Sequence, residues 1–308
     1  MDLYDIILHL HGFWRHYGCQ LIPPHTVETG AGTLSPAAFF GTLGSVPYRV
    51  GYITSNQRPA DGRYGKDPLR LRLHHQYQVV LKPPPAEIQE IYLSSLRDLG
   101  LSPADYDIGF SAEDWVSPVL AASGVGWQVL LNGMPITRFT YLQQMGGVEL
   151  APVSVGLTYG LEGVASAMQG KESDHDLFWD DASPCRELGN EKERQFSAYN
   201  FERASTDRVL KMFELSIEEC GDCLTAGRDS QDRAPQDRIP WGRSSDSRNN
   251  CTLFFPAYDH ALRCAHLLDL LDARDALSPG EKAGFTTCIR ELIERCAQEY
   301  LRFGGQDA

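Results

Sequence analysis

The chain has 308 residues and a formal net charge of −13 at pH 7, with 42% hydrophobic and 22% charged residues. That is apolar material enough for one large domain and a smaller one, in the proportions of a globular protein. No run approaches the ~20 apolar residues of a membrane span, and the acidic balance lacks the basic stripe of a surface that holds nucleic acid unaided.

The first residues, MDLYDIILHLHGFW, begin acidic and lack the basic start and small-residue cleavage site of an export signal. Tyr4, Ile7, Leu10, Phe13 and Trp14 recur at helical spacing, which predicts a helix over 3–17 stopped by Gly18. Cys19 to Pro24 reads as a short strand, and Gly30 to Thr33 is a glycine-rich turn, GAGT.

Residues 57–83, QRPADGRYGKDPLRLRLHHQYQVVLKP, are the most informative stretch. Arg58, Arg63, Arg70 and Arg72 crowd a loop broken by Asp61-Gly62 and Asp67-Pro68. A guanidinium grips phosphate or carboxylate through paired hydrogen bonds, so several on one loop suit a polyphosphate. In the strand that follows, Gln76 and Gln78 point one way while Tyr77, Val79 and Leu81 point the other. Two neutral amides aimed into a pocket can read a small polar ligand. A solvated basic loop before an ordinary strand is the plainer alternative.

Farther on, Ile88, Ile91, Tyr92, Leu96 and Leu99 predict a helix over 86–99. Asn132-Gly133, between two apolar runs, predicts a hairpin from Trp127 to Gln144. A helix follows over 160–169, and the chain turns helical after about 196, with long periodic segments at Ala257 to Ala273 and Pro279 to Phe303. Ser278-Pro279-Gly280-Glu281 supplies an N-cap, a first-position proline and a capping-box glutamate. The stretch from Arg228 to Arg248 repeats arginine amid Asp, Ser and Pro and has too little apolar surface to order itself.

Eight cysteines are scattered through the chain, as expected of reduced thiols in a cytoplasmic protein. Cys220 and Cys223 have CxxC spacing but no second ligand pair, so they read as incidental rather than as a metal site.

The order RPxDGRYGxxPxRL then QxQVVxKP, with GAGT, GW…LNGM…FTYLQQ (Gly126 to Gln144) and TYGLE (Thr158 to Glu162), resembles the α subunit of the bacterial heterotetrameric glycyl-tRNA synthetase. The collinear likeness runs from about Asp2 to Asp207 and again from Phe255 to Tyr300. It implies an α+β fold of class II synthetase type: an antiparallel sheet with flanking helices over 1–195, then a helical domain over 196–308. The arginine-rich stretch at about 226–250 would be a flexible insertion.

The resemblance also implies a ligase that uses ATP and Mg²⁺ to activate glycine as an adenylate. It implies a homodimer working with a β subunit that supplies most of the tRNA-Gly contacts, and neither a membrane nor a DNA partner. Arg58, Arg63 and Glu162 would be catalytic, with Arg58, Arg63, Arg70 and Tyr77 on ATP and Tyr77 stacked on adenine. Thr33, Gln76, Gln78, Trp115, Thr140 and Gln144 would line the amino-acid pocket, with no protein metal site. Trp115 could equally be core, and Thr140 and Gln144 sheet surface.

The sequence departs from the family pattern at chemical positions. Gln57 replaces the first of two consecutive arginines, Gly163 replaces the arginine of the GLER motif, and Gly156 and Gln128 replace glutamates. Arg138 replaces a glutamine, while Ala112 and Ser123 stand for an acid and a tryptophan. Three functions therefore stay open: glycine activation, ATP-dependent activation of another carboxylate for a non-tRNA acceptor, and a non-catalytic binding or regulatory role.

Overall fold

The computed structural model describes residues 1–67, 71–171, 173, 176–180, 183–184, 186–229 and 253–304. Helix α1 (Leu3–His16) starts on a reciprocal cap: Asp2 accepts from the Asp5 backbone N–H at 2.8 Å, and Asp5 accepts from that of Asp2. Its buried stripe is Leu3, Ile6, Ile7, Leu10 and Trp14, a helical period matched to one apolar face.

A seven-stranded sheet forms the centre. Its strands are β1 (Gln20–Leu21), β2 (Tyr48–Gln57), β3 (Leu73–Lys82), β4 (Ile108–Ser117), β5 (Ala122–Leu131), β6 (Met134–Met145) and β7 (Val148–Gly160). Their order across the sheet is β1-β2-β3-β7-β6-β5-β4, antiparallel throughout except for the parallel pair β1–β2. The strand expected over Cys19 to Pro24 keeps only Gln20–Leu21, since Pro23 and Pro24 have no N–H to extend a ladder. Between β5 and β6, Asn132 (φ 49°) and Gly133 (φ 83°) make the tight turn that an Asn-Gly pair favours in a hairpin.

The two faces of the sheet bury different partners. On one side α1, α3 (Ile88–Asp98) and α4 (Leu161–Gln169) share a core with Tyr77, Val79, Phe139, Val155 and Leu157. On the other side α2 (Pro36–Thr42), α6 (Thr206–Asp229), α7 (Phe254–Ala273) and α8 (Pro279–Gly304) pack around Leu120, Leu142, Met145 and Leu150. Phe39 of α2 stacks on Tyr258 of α7 with ring centroids 4.4 Å apart, and Tyr258 donates to the Leu34 carbonyl. Among the described residues these helices cover one end of that face and leave the other end open. A further helix, α5 (Arg186–Ala198), runs into a π turn at Tyr199–Arg203.

The capping box ahead of α8 forms: Glu281 accepts from the Ser278 backbone N–H at 2.9 Å, and Ser278 Oγ accepts from the Glu281 N–H. Cys220 and Cys223 lie buried in the helical core, with Cys220 Sγ donating to the Ala257 carbonyl. Of the expected insertion, 226–229 end α6 and the remainder lies outside the described residues.

One buried cation holds the open end of α2. Lys82 is 1% exposed, and its Nζ donates to the carbonyls of Thr42, Leu43 and Gly44 at 3.3, 2.8 and 3.1 Å. These are orphan acceptors of a helix C-terminus, where positive charge is favoured. Lys82→Met should leave them unpaired and cost about 2–3 kcal/mol, measurable as a lower midpoint in urea denaturation.

Candidate functional site

The open end of the sheet forms a cleft of ≈ 410 Å³ lined by Thr33, Arg58, His74, Gln76, Trp115, Gln128 and Arg138, with Thr158, Gly160 and the 135–137 backbone region. Strand alternation explains its floor. On β3, His74, Gln76 and Gln78 share one face, while His75, Tyr77 and Val79 face α1 and α4.

The roof is the GAGT turn, and it is tied down at several points. Gln57 N–H donates to the Thr29 carbonyl, Arg58 Nε to the Gly30 carbonyl at 2.8 Å, and Tyr52 Oη to the Gly32 carbonyl. The Gly32 N–H donates to Gln76 Oε1 at 3.1 Å. A Cβ on Gly32 would stand 2.9 Å from Gln78 Oε1 and 3.0 Å from Thr54 Cγ2, so only glycine lets the turn approach the sheet this closely.

Those contacts fix the amide orientations. With its oxygen on Gly32, Gln76 turns its NH₂ toward the cleft as a donor. Gln78 is fully buried and occupied at both ends: its oxygen accepts from Thr158 Oγ1 at 2.7 Å, and its nitrogen donates to the Val79 carbonyl. Gln78 therefore supports the floor and does not line the cleft.

The four loop arginines separate. Arg58 lines the cleft. Arg63, expected on ATP, donates instead to the carbonyls of Ala60 and Gly62 and braces its own loop. Arg72 lies 3.5 Å above the Phe196 ring and donates to Gln57 Oε1, while its backbone N–H reaches Glu193. Arg70 lies outside the described residues. The loop seats on α5 and the π turn after it: Tyr64 N–H donates to Ser197 Oγ of α5, and Tyr64 Oη to Glu202 of the turn at 2.7 Å.

Several expectations need correction. Tyr77 is fully buried on the opposite face, with its hydroxyl 3.0 Å from His11 Nδ1, so it cannot stack on a nucleotide in this cleft. Glu162 also lies away from the cleft: its carboxylate accepts from the backbone N–H of His75 at 2.8 Å and meets His75 Nδ1 at 2.7 Å, positioning β3. Thr140 shares the cleft face of β6 but is buried short of the lining. A bulge after Leu142 shifts the alternation, and Gln144, paired with Ser123 and Glu149 at the far end of the strand, is removed from the cleft.

The altered positions gain physical content here. Arg138 crosses β5 to a bidentate ion pair with Glu113, at 2.9 and 2.8 Å. Gly156 lies in β7 under Gln78, where a Cβ would meet Gln78 Nε2 at an ordinary 3.4 Å. Gly163 packs against the β5–β6 hairpin, and a Cβ there would come within 3.0 Å of the Pro135 carbonyl. The sequence reading missed His74, although alternation from Gln76 places it on the same face.

Residues 3–304 match the family model described as the glycyl-tRNA synthetase alpha subunit, and the chain belongs to that family. Two solved structures of a pyrrolysyl-tRNA synthetase from Desulfitobacterium hafniense are similar to it, each at 13% identity over 60% of this chain and 75% of that one. Their TM-scores are 0.42 and 0.41.

Burial lowers the pKa of His74 from its usual 6.5, with Glu162 opposing that shift and Arg58 adding to it. Between the lowered value and 6.5 the unfolded chain binds more protons, so this group's contribution to stability is lost as pH falls below about 6.5. His74→Gln should flatten the fall in denaturation midpoint between neutral and mildly acidic pH. In a second variant, Gly32→Ala, the new methyl should push the turn off the sheet and cost about 1–3 kcal/mol, and Gln78→Ala in the same chain should recover part of the loss.

Proposed function

We propose that the cleft activates a small carboxylic acid with ATP, forming an acyl-adenylate and releasing pyrophosphate, with an RNA acceptor brought by a partner subunit. The observation that carries this reading is the set of hydrogen-bond donors lining one cleft from separate elements: Arg58 behind the GAGT turn, the Gln76 NH₂ on β3 and, on β6, the part of Arg138 not committed to Glu113. Membership of a family of glycyl-tRNA synthetase alpha subunits supports the same reaction class.

The chemistry asks little covalent work of the protein. A carboxylate oxygen attacks the α-phosphorus, the bond to the pyrophosphate oxygen breaks, and both reactants are anions that repel each other. A rigid cation set where charge accumulates lowers that barrier. Arg58 suits the role because it lines the cleft with its Nε held by the Gly30 carbonyl and its Nη1 3.9 Å from the Asp61 carboxylate, which together fix the guanidinium in place. Gln76 would orient the acyl group, with Trp115 and the 135–137 segment as its walls.

The donor set fits ATP phosphates. Among the described residues no carboxylate lines the cleft, and no group of three or more His, Cys, Asp or Glu is placed to hold a metal ion, so a Mg²⁺ here would be held chiefly by the ATP phosphates. The acidic chain also suits an alpha subunit that leaves RNA binding to a partner, since its net charge of −13 opposes a polyanion.

The test is ATP–pyrophosphate exchange by the full chain, alone and with a β-type partner, across glycine and other small carboxylic acids. Exchange with at least one acid is expected, and Arg58→Ala should reduce it by about 10²–10³. Failure of every acid, together with no ATP binding by calorimetry, would overturn the reading.

A further inference from the structure

Adenylation leaves one titratable group of the cleft without a task. His74 lines the cleft from β3, on the same face as Gln76 and two residues from it, a rise of ~7 Å along a strand. It is half-buried, and neither ring nitrogen has a hydrogen-bond partner among the described residues. Its neighbour His75 differs, with Nδ1 held 2.7 Å from Glu162 on the packed side of the sheet. The other side chains of the lining are hydroxyls, amides, two guanidiniums, an indole and alkyl groups. Among the described residues none of them is a carboxylate, an amine or a thiol.

Passing an acyl group from its adenylate to a ribose hydroxyl demands a proton acceptor. The hydroxyl oxygen attacks the acyl carbon, and the bond from that carbon to the phosphate oxygen breaks. AMP departs with the bonding pair, and the hydroxyl proton must go to a base. A base serves best when its pKa lies near the working pH, and imidazole is the side chain of that range. Resting on the adenylation reading above, we infer that His74 is the catalytic base of the transfer step, taking the acceptor hydroxyl proton onto a free ring nitrogen while Gln76 holds the acyl group.

The surroundings suit a proton acceptor. Burial, the largest influence, and the Arg58 charge both favour the neutral ring, which is the form that can take a proton. Glu162 of α4, Asp61 of the cationic loop and Glu193 of α5 oppose them. Arg138 of β6 is the other charged side chain of the lining.

The experiment separates two half-reactions of the full chain with a β-type partner. One is ATP–pyrophosphate exchange with the acid that the parent activates best. The other is single-turnover transfer of that acyl group from the enzyme-bound adenylate to a tRNA-Gly transcript. His74→Gln should slow transfer by about 10²-fold, and by at least about tenfold more than it slows exchange. In the parent, transfer should fall about tenfold per pH unit on the acid side of the ring's lowered pKa, because the protonated ring cannot accept. That dependence should vanish in His74→Gln. Imidazole in solution should restore part of the transfer lost in His74→Ala, which a packing role would not allow.

Equal slowing of both half-reactions would overturn the inference and make His74 a wall of the cleft. A transfer profile that His74→Gln leaves unchanged would also overturn it, with the adenylate phosphate as the proton acceptor instead. So would a parent that exchanges pyrophosphate but transfers nothing to this RNA. A parent that exchanges with no acid would remove the adenylation reading itself.

Discussion

The approach of the Gly32 backbone to β3 governs the rest of the site. Its N–H meets Gln76 Oε1, and the absence of a Cβ lets the turn settle over Gln78 and Thr54. That one contact turns the Gln76 amide so that it presents a donor. It also brings the Gly30 carbonyl within 2.8 Å of Arg58 Nε, which restrains the cation at the cleft mouth. A buried polar group must find its partner inside the protein, and here the partners are chosen so that roof and floor orient each other.

The sheet makes this possible by separating support from chemistry. One face is closed by α1, α3 and α4, and the other is covered at one end by the C-terminal helices and, among the described residues, open at the other. Alternation along β3 then divides adjacent residues between the two environments. His74 and Gln76 reach the cleft, while His75 and Tyr77 are taken up by Glu162 and His11 on the packed side. Glu162 acts on the cleft only through the strand it holds.

The cationic loop shows how similar residues come to different uses. Arg58, Arg63 and Arg72 differ in which acceptor lies nearest once the loop folds. Arg63 is drawn to carbonyls of its own turn, and Arg72 is buried over Phe196, a residue far away in sequence. A guanidinium has five donors and pairs with whatever acceptors the fold leaves beside it. Of the three, only Arg58 lines the cleft, with its Nε on the Gly30 carbonyl.

Much of the fold was legible in the chain because it rests on local rules. Apolar period, caps and the Asn-Gly turn located α1, α3, α4, α7, α8 and the β5–β6 hairpin to within a few residues. The site was legible in part. Thr33, Arg58, Gln76, Trp115, Gln128 and Arg138 do converge, and the pairing of Gln76 with Gln78 on one face followed from strand period alone. Local pattern could not reveal that a bulge turns Gln144 away, that Gln78 is occupied by Thr158, or that Arg138 is paired with Glu113.

By itself, then, the sequence determined the family, the order of elements and the residue types on each face, since those depend on spacing within a few residues. Tertiary structure alone decided which donors remain available in the cleft. That depends on contacts between segments far apart in the chain, such as Gly32 with Gln76 and Arg138 with Glu113, where each bond made removes a group from what a ligand can use.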